Sequence, residues 1–172
     1  MAGRCIAEHR NVLCLGQAGL GKTRIAKAIA HAACLAGYSV LCVVTADRLE
    51  DPHASQADAT LRRAVRRYLK PDVLVCDELG YLSYDARYAD LLFEVVTRRY
   101  QHRSTIITTN KPFTEWNQVF PNAASVVTII DRLVHKAEIL TIDGDSYCLK
   151  EAKERAAQKA RSRKERTPRP GR

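Results

Sequence analysis

Eight residues near the start of the chain have the spacing of a phosphate-binding loop. Gly16 to Thr23 reads GQAGLGKT, which fits G-x-x-x-x-G-K-[ST] and stands between a short apolar run and the start of a helical pattern. Glycines let successive backbone N–H groups point at an anion, and the positive end of the following helix strengthens the field. The pattern predicts that the loop binds the phosphates of ATP; an ordinary glycine-rich turn with a surface lysine is the alternative.

Within this loop, different residues would have different roles. Lys22 would reach the β and γ phosphates, and the Thr23 hydroxyl would bind Mg²⁺. The candidate nucleotide-binding residues are Gly16, Gln17, Ala18, Gly19, Leu20, Gly21, Lys22, Thr23 and Arg24.

Two consecutive carboxylates follow an apolar run further along the chain. The run Val73 to Cys76 leads directly into Asp77 and Glu78. Asp77 would hold the Mg²⁺ ion, and Glu78 would polarise the attacking water as a general base. A solvated acidic loop is the alternative. Downstream of a phosphate loop, the pair indicates a site that hydrolyses ATP.

Two further polar residues have weaker local signals. Asn110 directly follows the β-branched run STIITT, and it would face the γ phosphate and the water if that strand lay beside the strand before Asp77. Before Lys-Pro, an asparagine is also a common turn residue. Arg132 follows Asp131 in a helical pattern, which by itself indicates a surface ion pair.

The elements that must position these residues alternate along the chain. Apolar runs predict strands at 11–15, 38–45, 72–77 and 104–109, and periodic patterns predict helices at 22–35, 61–70, 86–99 and 124–136. Strands that are apolar almost throughout belong to sheets covered on both faces. The alternation therefore predicts an α/β fold with a mainly parallel sheet, whose ligand lies beyond the carboxyl ends of the strands.

The connecting segments carry their own signals. Residues 46–58 are polar and predict a loop, and 111–121 predict an irregular segment with one turn near Glu115. Residues 137–142 and 146–149 flank Asp143-Gly144, which predicts a C-terminal β-hairpin.

The positive charge is concentrated in two places. The net charge is +9, and residues 150–172 hold ten Lys or Arg and three Glu, which leaves +2 for the rest. The predicted helix 61–70 carries a basic stripe of Arg62, Arg63, Arg66, Arg67 and Lys70. Either could bind duplex DNA through its phosphates, without strong sequence preference and with strong salt dependence. A solvated helix face is the alternative for the stripe.

Composition narrows the class of protein. Apolar residues make up 46% and charged residues 27%, which is typical of a soluble globular protein. No apolar run approaches the roughly 20 residues that cross a bilayer, and no export signal precedes the loop, so we expect a cytoplasmic protein without a membrane partner. The six cysteines have irregular spacing and predict small core residues rather than a metal site or disulfides.

Long stretches of the chain closely resemble one family of proteins. The stretches are DELGYLSYDARYADLLFEVVTRRYQHRSTIITTNKPFTEWNQVF and IIDRLVHKAEILTIDGDSYCLKEA. Over about residues 11–155 they resemble IstB-like proteins, which are AAA+ helper ATPases of insertion-sequence transposition related to DnaC-type helicase loaders and DnaA-type initiators. The resemblance implies an ASCE-type P-loop fold, a five-stranded three-layer sandwich. It also implies that Asn110 is the sensor residue and that Arg132 is an arginine finger acting on ATP held by a neighbouring subunit.

The resemblance also implies partners and a domain plan. Family members bind double-stranded DNA, oligomerise on it with ATP, and stimulate a DDE-type transposase, here one encoded by the same element. They carry a helical domain before the phosphate loop, whereas fifteen residues precede Gly16 in this sequence. We therefore expect a short lead at 1–10 that lacks this domain, an AAA+ ATPase domain at 11–149, and a basic tail at 150–172 that is partly helical and then disordered.

Two other functions fit parts of the pattern. A DnaC-like replicative helicase loader would share the ATPase motifs but would serve a hexameric helicase. A shortened protein that binds ATP and DNA without turnover would follow from the missing helical domain. Lys22, Asp77 and Glu78 are all present, which favours turnover.

Overall fold

The computed structural model describes residues 2–45, 65–80, 86–121, 123–144, 146, 147, 151 and 155. The described strands are β1 (Asn11–Gly16), β2 (Val40–Val44), β3 (Val73–Leu79), β4 (Ser104–Thr109) and β5 (Ala137–Ile142). The helices are α1 (Ala2–Ala7), α2 (Lys22–Leu35), α3 (Ala86–Arg99) and α4 (Ala123–Val134), with a 3₁₀ helix at Phe113–Gln118. Residues 65–69 are also helical.

The five strands form one parallel sheet in the order β2-β3-β4-β1-β5. Parallel strands require crossover connections: α2 connects β1 to β2, α3 connects β3 to β4, and α4 lies between β4 and β5. β4 lies between β3 and β1, and the three strands run in the same direction. The carboxyl ends of β1, β4 and β3 are therefore neighbours at one edge of the sheet. This edge is where a sheet of this kind places its ligand, and the predicted parallel α/β fold is confirmed.

Apolar side chains on both faces of the sheet make a three-layer sandwich. Along β1, Leu13 packs against α3 and α4, whereas Val12 and Cys14 pack against α1 and α2. This follows from the strand period of two, which sends successive side chains to opposite faces. Trp116, fully buried, extends the first of these cores from the 3₁₀ helix. The middle strands are thus fixed from both sides, and their carboxyl ends are held in place.

The predicted C-terminal hairpin is wrong. Within the described residues β5 pairs with β1 in parallel along its whole length, and the backbone at Tyr147 is helical. Asp143-Gly144 is a strong local turn signal, but tertiary contacts override it. The Tyr147 N–H donates to the Gly19 carbonyl at 3.0 Å, which holds the chain after β5 against the phosphate loop.

Other predictions have mixed outcomes. Cys14 and Cys76 are buried as expected, but Cys42 is exposed because β2 lies at the edge of the sheet. The thiol of Cys76 has its pKa raised by burial to about 12.

None of the helices in the described ranges is both long and apolar enough to cross a bilayer. The predicted loop at 46–58, and most of the predicted tail, lie outside the described residues.

Candidate nucleotide-binding site

The phosphate loop connects the end of β1 to the start of α2. Gly19 and Gly21 have φ angles of 82° and 84°, a left-handed conformation that residues with a Cβ atom rarely adopt. Gly21 is the N-cap of α2, and no side chain caps the first turn. The free N–H groups of that turn, together with the helix dipole, form a site suited to an anion.

Lys22 is buried at the base of this loop. Its Nζ atom donates to the carbonyls of Gly16 at 2.7 Å and Gln17 at 2.6 Å, and the residue is 9% exposed. Burial lowers the pKa of the ammonium group below its ordinary value, and the nearby Asp77, Cys14 and Glu78 offset only part of this effect. An ammonium group has three donors, and the two carbonyls use two of them. The lysine therefore stabilises the loop and keeps a positive charge beside it.

Asp77, at the end of β3, is held by threonines from three other parts of the fold. Its Oδ1 atom accepts hydrogen bonds from the hydroxyls of Thr23 at 2.9 Å and Thr108 at 2.5 Å. Its carbonyl accepts from the N–H of Thr45 at 3.0 Å and from the hydroxyl of Thr45 at 2.6 Å. The Thr23 and Thr108 hydroxyls hold the carboxylate, and Thr45 holds the main chain, of a residue that is only 7% exposed. Sequence reasoning missed Thr45 and Thr108, although each is a polar residue at the carboxyl end of an apolar strand.

The donors around Asp77 suit Mg²⁺. The Thr23 hydroxyl and the Asp77 carboxylate are oxygen ligands within hydrogen-bond distance of each other, and they meet beside the phosphate loop. In the described part of the chain, no group of three or more His, Cys, Asp or Glu could hold a metal ion. Mg²⁺ usually takes one or two protein carboxylates and completes its shell with water and phosphate oxygens. The residues therefore fit an ion that arrives with a nucleotide.

Glu78 is turned out of the sheet by an irregularity in β3. Its φ is 61°, and the pairing of β3 with β4 shifts register between Cys76 and Leu79. The Glu78 N–H donates to the Thr108 hydroxyl at 2.9 Å, which stabilises this conformation. Bulges of this kind redirect side chains near functional sites. The exposed Glu78 side chain thus lines the cavity next to the loop.

This cavity has a volume of about 580 Å³, in the range of small-molecule sites. It brings together the loop residues Ala18 to Arg24 with Glu78 and Asn110. Asn110 directly follows β4, which lies beside β3, so the condition set for its role is met. Tyr147 and Glu151 also line the cavity, and sequence reasoning missed both. The local turn signal before them, Asp143-Gly144, predicted a hairpin instead.

The predicted arginine finger lies away from this cavity. Arg132 is near the end of α4, where its Nη1 atom donates to the Thr97 hydroxyl and its guanidinium lies 5.6 Å from the centre of the Phe93 ring. Arg132 does not line the cavity of its own chain. A role on another chain stays a prediction.

The basic stripe is only partly described. Arg66, Arg67 and Lys70 are exposed, and buried Val65 anchors this helical segment to the core. Arg62 and Arg63 lie outside the described residues.

Comparisons with known proteins agree with this geometry. The family model for the IstB-like ATP binding protein matches residues 3–156. A protein of insertion sequence IS5376 from Geobacillus stearothermophilus, described as ATP-binding, is 36% identical over 85% of this chain and 58% of its own length. One of insertion sequence IS21 from Pseudomonas aeruginosa is 36% identical over 88% of this chain and 57% of its own length. The chain thus spans somewhat more than half the length of these two relatives.

A solved structure shows the same fold. The crystal structure of the DnaC helicase loader has a TM-score of 0.64 and 23% identity, and the match covers 83% of this chain and 86% of that one. At this identity the likeness concerns the fold alone. The family match covers both the phosphate loop and the Asp77-Glu78 pair, and the chain belongs to the family of IstB-like ATP-binding proteins.

Proposed function

We propose that this chain hydrolyses Mg²⁺-bound ATP and acts as a helper ATPase of DNA transposition. In this role it binds double-stranded DNA, forms homo-oligomers with ATP and DNA, and assists a DDE-type transposase of the same element. The observation that carries the proposal is the meeting of Thr23 and Asp77 beside Lys22, with Glu78 turned into the same cavity. The insertion-sequence relatives support the transposition context.

The phosphates bind where the loop offers positive charge and N–H groups. Lys22 and the first turn of α2 hold the β and γ phosphates. Thr23 and Asp77 hold Mg²⁺, which neutralises charge on the phosphate oxygens when it is bound. Thr108 and Thr45 keep Asp77 in one orientation, so little reorganisation is needed when the nucleotide enters.

Glu78 and Asn110 act on the attacking water. The Glu78 carboxylate accepts a proton from the water as its oxygen attacks the γ phosphorus, and the bond to the ADP oxygen breaks. Asn110 directly follows the neighbouring strand β4 and can donate to the γ phosphate while accepting from the water. Both side chains are exposed and line one cavity, which supports their assignment to the attacking water.

Contact with DNA rests on exposed positive charge. Arg66, Arg67 and Lys70 present three cations on one short segment, and ten more Lys or Arg occur between residues 150 and 172. Cations that neutralise DNA phosphates release counterions, which gives affinity without sequence reading. This charge supports binding to duplex DNA of any sequence.

Turnover of ATP, measured with and without duplex DNA, tests the proposal. Wild type should hydrolyse ATP and should do so faster with DNA. Lys22→Ala should lose nucleotide binding, because the loop loses its charge and its internal hydrogen bonds. Glu78→Gln should keep binding but lose at least about a hundredfold in turnover, the contribution typical of a general base.

The matched control is Glu138→Gln, which neutralises an exposed carboxylate on β5 outside the cavity and should leave turnover unchanged. Undiminished turnover in Glu78→Gln would show that another group activates the water. Tight ATP binding by wild type with no turnover in either condition would favour the binding protein without hydrolysis.

A further inference from the structure

The segment after β5 forms a wall of the nucleotide cavity that the proposed chemistry does not use. Tyr147 lines the cavity together with Lys22 and Thr23, and 60% of its surface is exposed. Glu151, four residues further along the sequence, lines the same cavity. Its carboxylate is paired with Arg155 at 2.6 Å. An exposed aromatic ring therefore borders the cavity, next to the phosphate loop and the side chains of Lys22 and Thr23.

The position of Tyr147 is fixed by its main chain. Its N–H donates to the Gly19 carbonyl at 3.0 Å. The preceding Ser146 lies so close to the loop that a Cβ atom on Gly19 would be 2.2 Å from its Oγ atom. Because these contacts use backbone and Ser146, the ring stays beside the phosphate loop whatever its own side chain contacts.

We propose that Tyr147 is the base-binding wall of the site and that its ring packs against the purine of the bound nucleotide. The inference rests on the proposed ATP site. The phosphates account for the loop and for Lys22, and the remaining part of the cavity must receive a flat, largely apolar ring system. Tyrosine supplies a rigid aromatic face for such a ring, and stacking removes both surfaces from water. Tyr147 then contributes to the selectivity for purine nucleotides.

Binding of two ligands to Tyr147→Ala separates this role from support of the loop. The ligands are Mg²⁺-ATP and inorganic tripolyphosphate, which has the phosphates but no base. Alanine keeps the N–H bond to Gly19, so only the ring is lost. We expect ATP affinity to fall about tenfold, tripolyphosphate affinity to stay unchanged, and the preference for ATP over UTP to shrink. Tyr147→Phe should bind ATP like wild type, because the ring remains.

Controls make the outcomes distinct. Ile139→Ala removes an exposed apolar side chain on β5 outside the cavity, and it should change neither affinity. Thermal unfolding confirms that each variant is folded. If Tyr147→Ala lost affinity equally for ATP and for tripolyphosphate, the residue would only support the loop. If its ATP affinity were unchanged, the ring would not contact the base. Either result overturns the inference. If Lys22→Ala retained both ligands, the ATP site itself would be misplaced, independently of Tyr147.

Discussion

At the scale of single residues, Gly19 and Gly21 have nearly the same backbone conformation but different surroundings. A Cβ atom on Gly19 would meet Ser146, whereas one on Gly21 would meet nothing within 4 Å. In both alanine variants the left-handed conformation costs about 1–2 kcal/mol. Gly19→Ala should lose roughly a further 1–3 kcal/mol, because the segment after β5 must shift. Urea unfolding of the two variants side by side measures the difference.

Ser146→Gly provides the control for this comparison. Introduced into Gly19→Ala, it removes the hydroxyl that the new methyl group would meet, and it should bring the free energy of unfolding to that of Gly21→Ala. Equal stability of the two single variants would mean that Ser146 does not press on the loop.

Individual site residues differ in how far the sequence could reveal them. Lys22 lies in a glycine pattern of fixed spacing, and Asp77 directly follows an apolar run. The local sequence therefore predicts where both residues lie in the fold. Thr108 contacts Asp77 across 31 positions, and Tyr147 contacts Gly19 across 128. Contacts of this kind depend on which strands are neighbours, and no local pattern encodes them. The roles assigned to the site residues stay predictions until the variants are measured.

At the scale of elements, the amino ends of β2, β3 and β4 are joined by polar contacts of Asp72. Its Oδ2 atom accepts from the hydroxyl of Ser39 at 2.6 Å and from the N–H of Ser39 at 2.9 Å. Its Oδ1 atom accepts from Arg103 at 2.8 Å. Ser39 directly precedes β2, and Arg103 directly precedes β4. One carboxylate thus ties three strands together opposite the nucleotide site.

The contacts of Asp72 with Ser39 and Arg103 predict that the free energy of unfolding depends on pH. The Ser39 hydroxyl, the Ser39 N–H and Arg103 lower the pKa of Asp72 below its ordinary value of 3.8. A lowered pKa in the folded state gives stability that is present above the unfolded-state pKa and is lost as the pH falls through the folded-state pKa. Asp72→Asn should therefore be less stable than wild type at pH 7, by no more than about 1 kcal/mol because the group is exposed. The difference should shrink as the pH falls below 3.8 and should disappear once the pH is below the folded-state pKa.

Urea unfolding at pH 7, 5 and 3 measures this difference. Asp131→Asn, which changes an exposed aspartate on α4, is the matched control and should follow wild type at each pH. A stability difference for Asp72→Asn that stayed constant from pH 7 to pH 3 would assign the effect to packing rather than to charge.

The elements themselves were largely predictable. The bounds of α2, α3 and β4 agree with the predicted 22–35, 86–99 and 104–109 because their apolar periodicity and flanking residues agree with the tertiary packing. The hairpin prediction was wrong because a local turn signal competed with a contact to Gly19.

The buried residue Arg99 was also missed. It is 1% exposed, and its guanidinium donates to the carbonyls of Tyr68, Pro71, Asp72 and Ser104. Nothing in the run TRRYQHR distinguishes this buried arginine from its exposed neighbours.

At the scale of the whole molecule, the sheet separates the phosphate loop at its carboxyl edge from the end of α4 at its amino edge. The register of β5 with β1 pairs Ala137 with Asn11 and Ile142 with Gly16. Because α4 leads into β5, its end lies at the amino edge, and Asn11 donates to the Leu133 carbonyl there at 3.0 Å. The phosphate loop begins five residues along β1, about 17 Å away at 3.3 Å per residue. Arg132 is thus separated from the nucleotide of its own chain by the length of the sheet.

An arginine at this edge can reach a γ phosphate only if another subunit presents one, which predicts catalysis in trans. Arg132→Ala should then bind ATP normally but lose roughly a thousandfold in turnover, the loss typical when an arginine finger is removed. Mixing it with Glu78→Gln should restore part of the turnover, because interfaces then form that combine Glu78 of one subunit with Arg132 of the other. Arg98→Ala, which removes an exposed arginine paired with Glu94 on α3, is the control and should keep full activity. Arg132 also contacts Thr97 and the Phe93 ring, so thermal unfolding must show that the variant is folded. If the mixture stays inactive although both variants bind ATP and co-assemble on DNA, Arg132 does not act across subunits, and its contact with α3 is its whole role.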